Sequence, residues 1–150
     1  MGAAENTRSK WQGFHHVAVV TADLDATLRF YVDVLGMEAG EIMRIDARGG
    51  GARHCFVRPG GTESLGLHFF HAPDAVADQE ANIEEKFGLR SVGPHHIAFA
   101  LPDEAAGMEL RERLEKSGVE MTPVGDTGPL RNTHFLDNNG LLLEAAWPKQ

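Results

Sequence analysis

The sequence predicts an α+β protein made of two tandem βαβββ modules, whose strands form a curved, barrel-like mixed sheet with the helices outside. A near-repeat predicts this fold. The segment GFHHVAVVTADL begins at Gly13, and GPHHIAFALPDE begins at Gly93. In each copy a short apolar run precedes a helix-start signal and a helical apolar pattern. The order of elements therefore repeats within 150 residues, which is enough chain for one shared core.

The first module is predicted over residues 13–71. It opens with a strand at 14–20, and Asp23 is the predicted N-cap of a helix that ends at Gly36. Apolar residues spaced for one face of that helix are Leu24, Leu28, Tyr31 and Leu35. Three further strands are predicted near residues 39–46, 53–58 and 64–71, separated by glycine-rich turns.

The second module is predicted over residues 93–150. A strand at 94–101 leads to a helix that opens at Pro102-Asp103 and closes at Gly118. The inward face of this helix is predicted to carry Ala106, Leu110 and Leu114. Strands follow near 119–124, 131–137 and 141–147. Residues 72–92 are the predicted linker, with a helical turn or two, and residues 1–12 are a predicted flexible tail.

Composition excludes several classes of partner. The net charge is −8 and the acidic residues are dispersed, whereas a nucleic-acid surface needs clustered Lys and Arg. The apolar runs are too short to cross a bilayer. The N-terminal residues lack the apolar core of a signal peptide, and the single cysteine, Cys55, forms no internal disulfide. We therefore expect a cytoplasmic protein that binds neither nucleic acid nor membranes.

The repeat extends to the ends of the modules. HCFVRPGG, at 54–61, aligns with THFLDNNG, at 133–140. Beyond these segments, SLGLHFF leads to His68 and LLLEAAW leads to Glu144. Allowing for extra turn residues in the first module, His68 and Glu144 occupy equivalent places on equivalent final strands.

Four polar residues thus form two symmetric pairs, His16 with His96 and His68 with Glu144. Imidazole nitrogen and carboxylate oxygen are the donors that a divalent metal ion takes in proteins. Burying the Glu144 carboxylate within LLLEAA costs on the order of several kcal/mol unless the charge is paired or bound to a metal ion. Adjacent strand residues face opposite sides, so only one histidine of each HH pair can enter a shared site. Strand parity alone leaves open which one it is.

These segments resemble the vicinal oxygen chelate superfamily, which includes glyoxalase I, methylmalonyl-CoA epimerase, extradiol dioxygenases, and fosfomycin- and bleomycin-resistance proteins. FHHVAVVTADLDATLRFYVDVLGME resembles its opening module, HHIAFAL the second opening, and FLDNNGLLLEAA the closing strand. The likeness covers nearly all of residues 13–147. It implies a divalent metal ion (Zn, Ni, Mn, Co or Fe(II)) that chelates two neighbouring oxygens of a small substrate.

The resemblance also assigns roles to residues. It implies His16, His96 and Glu144 as metal ligands, with His68 at a position where members differ. Glu144 is expected to serve as ligand and base, and His134 as a proton-transfer or substrate residue. Arg131 and the loop 125–130 are expected to form a lid that meets a substrate anion. Asn138 replaces the usual proline, which is expected to loosen the turn.

Three functions follow from this resemblance. A glyoxalase- or epimerase-like lyase or isomerase is favoured if His68 is a fourth ligand, although the DNNG turn differs from that expected of epimerases. An extradiol Fe(II) dioxygenase requires His68 to lie outside the metal's ligand set. A drug-binding resistance protein would not need the full ligand set. Exposed sheet edges favour a homodimer, and the modules are expected to pair within one chain or across the dimer.

Overall fold

The computed structural model describes residues 13–45, 51–60, 66–76, 82–89 and 92–149. The predicted tail at 1–12 lies outside these residues. The described strands are β1 Val17–Thr21, β2 Glu38–Ala39, β3 Met43–Ile45, β4 Ala52–Arg58, β5 Leu67–His71, β6 Ile97–Ala100, β7 Gly125–Asp126, β8 Leu130–Leu136 and β9 Leu142–Pro148. The helices are α1 Leu24–Arg29, α2 Ile83–Lys86 and α3 Glu104–Lys116; a π-helical turn, Phe30–Val34, extends α1.

The α+β class and the two repeated modules are confirmed. The strands form two sheets, in the orders β1-β5-β4-β2, with β3 also on β4, and β6-β9-β8-β7. In each sheet the first strand of the module runs parallel to the last, and the other pairings are antiparallel. Among the described strands no pairing joins the two sheets, so the barrel-like arrangement is open and β1 and β6 are edge strands.

The helix signals act as predicted. The Asp23 carboxylate accepts a hydrogen bond from the Ala26 amide at 2.9 Å, and Asp103 does the same for Ala106. Gly36, at φ 74°, ends the first helical segment in the left-handed region that favours glycine. The sequence did not predict the π-helical turn at Phe30–Val34, which widens the helix just before that glycine.

Two predicted strands have different forms. The strand predicted at 39–46 is split into β2 and β3, which both pair with β4. Ala39 pairs with Val57 and Met43 pairs with His54. The segment between Ala39 and Met43 therefore contains one residue more than the facing segment of β4, and this extra residue forms a bulge. In the second module, residues 119–124 contribute only an isolated bridge from Met121 to Phe135, and the pairing strand is β7.

One core joins the modules. Leu24, Tyr31 and Phe69 of the first module are fully buried in the same cluster as residues of the second module. The second module contributes Leu114, Phe135, Leu143, Ala145 and Trp147. Because the same apolar cluster draws on both sheets and on α1 and α3, the two modules are stabilised together rather than separately.

A buried polar contact reinforces this core. The Tyr31 hydroxyl donates to Oδ2 of Asp137 at 2.9 Å, and the exposed fractions of the two residues are 0% and 6%. The other carboxylate oxygen accepts from the backbone amides of Asn139 and Leu141, both at 2.8 Å. Burial, and then the charge of Asp137, raise the pKa of Tyr31 well above its ordinary value, so Tyr31 remains a donor.

The turn at 137–140 is held firmly, which corrects the expectation that Asn138 loosens it. Asn138 Nδ2 donates to Thr27 Oγ1 at 2.9 Å, and the Thr21 hydroxyl donates to Asn139 Oδ1 at 2.7 Å. Both partners belong to the first module. The asparagines therefore replace the rigidity of a proline with hydrogen bonds to α1 and to the end of β1.

Tyr31→Phe is expected to lower the free energy of unfolding by about 1.5–3 kcal/mol, because it removes a buried hydrogen bond to a charged acceptor. Urea unfolding monitored by tryptophan fluorescence measures this change. Trp147, which is buried in the shared core, reports the loss of that core. An unchanged unfolding midpoint would contradict the role given to this contact.

Candidate functional site

The second module brings three metal-ligand side chains together. His96 Nε2 lies 2.8 Å from Glu144 Oε2, and His134 Nε2 lies 3.6 Å from the same oxygen. Their ligand atoms all lie within 4.8 Å of one another. Among the described residues this is the one group of three or more such side chains that meets that distance. We call it the His–His–Glu cluster.

Strand pairing explains this arrangement. Glu144 on β9 lies directly opposite His134 on β8, so the two side chains share a face of the sheet. Ala98 of β6 lies beside Glu144. His96 is two residues before Ala98, so its side chain lies on the same face of the sheet. The second histidine of this HH pair is therefore the one that reaches the carboxylate, as the resemblance implied.

Asn132 holds the other oxygen of the carboxylate. Its Nδ2 donates to Glu144 Oε1 at 2.7 Å, and the Glu144 side chain is 14% exposed. The charge within the apolar run LLLEAA is thus met by an amide and an imidazole. Sequence reasoning missed Asn132, because it was sought neither as a ligand nor as a partner of one.

His134 lies in a poorly solvated position. Desolvation lowers its pKa; the charge of Glu144 opposes that shift, and His96 and His95 add to it. Because the lowered pKa favours neutral imidazole near neutral pH, the side chain can take up a proton or donate its lone pair to a metal ion. Phe87, just after α2, lies edge-on over the His134 ring, with centroids 4.8 Å apart. The linker thus covers one side of the cluster, a contact that sequence reasoning did not predict.

The first module places its predicted ligands side by side. The His16 and His68 rings lie with their centroids 5.4 Å apart, and the His68 ring stacks on Phe56 at 3.8 Å. His68 is 8% exposed, and its Nε2 lies 2.7 Å from His54 Nδ1. Desolvation, and then the neighbouring His54 and His16, lower the pKa of His68. His54 was not among the residues singled out from the sequence.

The four predicted ligands are divided between the two modules. His96 and Glu144 lie in the His–His–Glu cluster, whereas His16 and His68 lie outside it. His16 and His96 nevertheless line the same cleft, which runs between the edge strands β1 and β6 and has a volume of about 580 Å³. Apolar residues that line this cleft include Phe14, Val17, Leu67, Ile97 and Phe99.

The register of the strands corrects the alignment of the repeat. His68 lies beside Ala18 and Glu144 beside Ala98, so the equivalence of His68 with Glu144 holds. The residue opposite His68, however, is Phe56, and the residue opposite Glu144 is His134. The structural counterpart of His54 is therefore Asn132, and not Thr133 as HCFVRPGG and THFLDNNG suggest. A shift of one residue moves a side chain to the other face of a strand.

Arg131 does not reach the cluster, so its expected contact with a substrate anion is corrected. Arg131 and Thr133 alternate with Asn132 and His134 along β8, and therefore point to the opposite face. Arg131 pairs with Glu104 of α3 at 2.7 Å. The Trp147 indole donates to the same carboxylate at 2.6 Å and is the main cause of its lowered pKa, with Arg131 contributing.

The loop 125–130 is not a free lid. Gly125 and Asp126 form β7, which pairs with β8, and Asp126 pairs with Lys149. The Thr127 amide donates to the Leu130 carbonyl at 3.0 Å. These contacts tie the loop into the sheet as a hairpin, so the expectation of a closing lid at this place is wrong.

The donor set suits a divalent ion. Two imidazole nitrogens and one carboxylate oxygen on a single face match the donors of Zn, Ni, Mn, Co and Fe(II) sites, and leave coordination positions for substrate oxygens. A third imidazole, that of His16, lines the same cleft. The residues present therefore fit the metal that the resemblance implies.

Comparisons with known proteins agree with this fold. Methylmalonyl-CoA epimerase, mitochondrial, from Bos taurus is 30% identical over 132 residues, which is 87% of this chain and 71% of that protein. The Homo sapiens protein of the same name is 29% identical over 142 residues, which is 92% of this chain and 76% of that protein.

Within the described residues, no helix is long and apolar enough to span a bilayer.

Solved structures share the fold. A glyoxylase/bleomycin resistance protein/dioxygenase domain from Frankia sp. EAN1pec superposes with a TM-score of 0.72 at 22% identity, covering 93% of this chain and 94% of that one. The fosfomycin resistance protein FosX from Listeria monocytogenes, complexed with Mn(II) and sulfate, gives 0.63 at 22% identity, covering 93% and 94%. The family model of the glyoxalase/bleomycin resistance protein/dioxygenase superfamily matches residues 13–145. The chain belongs to the glyoxalase/bleomycin resistance protein/dioxygenase superfamily.

Proposed function

We propose that this chain is a divalent-metal-dependent isomerase or lyase of the epimerase and glyoxalase type. It would bind a small substrate through two neighbouring oxygens and move a proton on the adjacent carbon. The observation that carries the proposal is the His–His–Glu cluster, in which Glu144 is held at both oxygens. The relatives at about 30% identity are named methylmalonyl-CoA epimerases, so a 2-methylmalonyl thioester is the first substrate to test.

The proposed ligands are His96 and Glu144, joined by His16 and His68. The ion, when bound, would supply Lewis-acid stabilisation of the negative charge that develops on a substrate oxygen. The residues themselves would hold the substrate where the cleft meets the His–His–Glu cluster at His96, with its reacting carbon beside a base. The apolar lining of the cleft would limit water around that carbon.

Proton transfer is assigned to His134 Nε2, with Glu144 as a second base. His134 is poorly solvated, and its lowered pKa keeps the imidazole neutral, so it can remove a proton from carbon. The opposite module offers no matching base, because the structural counterpart of His134 is Phe56. A base on one side of the substrate suffices to move a proton between neighbouring carbons, whereas inversion at a single carbon also needs a proton donor on the opposite face.

An extradiol-type Fe(II) dioxygenase is the second candidate function, and one contact favours it. If the 2.7 Å contact with His54 keeps His68 away from the ion, His16, His96 and Glu144 would remain as the ligand set, and His134 would be an acid–base group near the diol. Two histidines and a carboxylate with open positions are the ligand type of non-haem Fe(II) oxygenases. Oxygen consumption with a panel of catechols under Fe(II) distinguishes this reaction from proton transfer.

We further propose that the protein is a homodimer in which β1 of one subunit lies against β6 of the other. Both strands end their sheets, and edge strands tend to be paired or covered. Exposed apolar residues on β1 and just before it support this proposal: Val20 is 57% exposed, Val17 37%, and the preceding Phe14 92%. Such pairing would bring His16 and His68 of one subunit towards the His–His–Glu cluster of the other.

His134→Phe is expected to lower the rate of proton exchange at C2 of 2-methylmalonyl-CoA by about 10²–10⁴-fold, the usual contribution of a general base. Exchange is followed in D₂O by proton NMR, with protein loaded with Mn(II), Co(II) or Ni(II). The matched control is His71→Phe, since His71 contacts the Ala22 carbonyl, away from the cluster. Oxygen consumption with catechols, together with no exchange by the wild type, would replace this proposal with the dioxygenase.

Mixing two inactive variants tests the dimer. His16→Ala and Glu144→Ala chains are unfolded, mixed in equal amounts and refolded. If residues from two subunits form each site, mixed dimers contain one intact site, and activity returns to at most about a quarter of the wild-type value for random pairing of symmetric subunits. If each chain forms its own site, every site in the mixture lacks a ligand and no activity returns.

A further inference from the structure

Asn132 and His54 occupy the same position in the two modules. Each lies two residues before the residue that faces the proposed ligand, Asn132 before His134 on β8 and His54 before Phe56 on β4. Each also contacts the proposed ligand on the neighbouring strand. The duplication has therefore kept a polar contact at this place while changing both of the side chains that make it.

The two contacts are equally close, and the one in the first module is shielded from solvent. Asn132 Nδ2 lies 2.7 Å from Glu144 Oε1, and His54 Nδ1 lies 2.7 Å from His68 Nε2. His54 and His68 are 9% and 8% exposed. Phe56 and Phe70 flank the His68 ring, with centroids 3.8 and 4.1 Å away, so His54 supplies its direct polar contact in this setting.

The backbone beside Asn132 is shaped to admit its amide. A Cβ atom on Gly125 would lie 2.4 Å from Asn132 Oδ1, closer than non-bonded contact allows. Gly125 is in β7 and pairs directly with Asn132. Glycine at this position thus lets the amide turn its nitrogen towards Glu144, which explains one glycine of the loop 125–130.

We propose that Asn132 and His54 are positioning residues. Each would orient one proposed metal ligand by a contact with the side-chain atom of that residue that does not bind the ion. Asn132 would hold Oε1 of Glu144 so that Oε2 faces His96, and His54 would hold Nε2 of His68 so that Nδ1 is the free nitrogen. This inference rests on the proposed function, because it requires a metal ion. It adds two residues to the proposed site, one from each module.

The physical reason is rotational freedom. The side chain of a glutamate or a histidine has several rotamers, and only some of them can bind the ion. Metal affinity falls unless the other rotamers are excluded before the ion binds. Outer hydrogen bonds that fix ligand orientation typically account for about 10–100-fold in metal affinity. A purely structural role would instead change unfolding and leave the affinity of the folded protein unaltered.

The repeat itself supplies conservative variants. His54→Asn gives the first module the residue that the second module uses, and Asn132→His makes the reciprocal exchange. We expect both to keep Mn(II) affinity within about threefold of wild type, whereas His54→Phe and Asn132→Ala each weaken it by about 10–100-fold. Equilibrium dialysis with Mn(II) measures affinity, and the visible spectrum of Co(II)-loaded protein reports the ligand set. The metal-free variants are compared by thermal unfolding.

Two control variants remove polar contacts from β8, the strand of Asn132, and from β5, the strand of His68, without touching a proposed ligand. Arg131→Gln loses the ion pair with Glu104, and His71→Phe loses the contact with the Ala22 carbonyl. Their Mn(II) affinities are expected to equal that of wild type. If His54→Phe and Asn132→Ala also bind Mn(II) as wild type does, the positioning role is wrong while the proposed metal site stands. If wild type itself binds neither Mn(II) nor Co(II), the proposed function fails first.

Discussion

The carboxylate of Glu144, set in the middle of an apolar strand, is the constraint around which the second module is organised. An ion at this depth costs several kcal/mol unless charges and hydrogen bonds compensate it. Asn132 compensates one oxygen and His96 the other, and His134 lies opposite on the next strand. Each of these residues has to be on the same face of the sheet, so strand register and site chemistry depend on one another.

The duplicated fold serves this constraint twice. In both modules the last strand lies between the first strand and an antiparallel neighbour, so a residue near its middle receives side chains from both sides. The second module uses this place for a carboxylate and the first for His68. The modules are then locked together by a common core and by the turn at 137–140, where Asp137 accepts from Tyr31. This fixes the relation between the edge strands β1 and β6, which form the walls of the cleft.

Much of this arrangement was predictable from the sequence, because it follows from local patterns. Asp23 caps the first helix as predicted, and the second helix begins after Pro102-Asp103 as predicted. The histidine of HH that meets Glu144 is the one the resemblance named. The equivalence of His68 and Glu144 also followed from the repeat, because the alignment there allowed for a difference in turn length.

Other features depended on register, which the sequence does not determine to one residue. The alignment of HCFVRPGG with THFLDNNG was displaced by one position, and this displacement hid the correspondence between His54 and Asn132. Because side chains alternate along β8, Arg131 lies on the face that packs against α3, where it pairs with Glu104. The type of residue alone does not determine this face. The bulge between Ala39 and Met43 likewise needs knowledge of β4, its partner strand.

The most direct measurement is an anomalous difference map from crystals of the protein grown with Mn(II). We expect a peak within bonding distance of His96 Nε2 and a Glu144 carboxylate oxygen, with His16 and His68 of the same or of a second subunit completing the ligand set. A map in which Mn(II) binds only exposed carboxylates, while His96 and Glu144 remain hydrogen-bonded to each other, would contradict the metal site proposed for this protein.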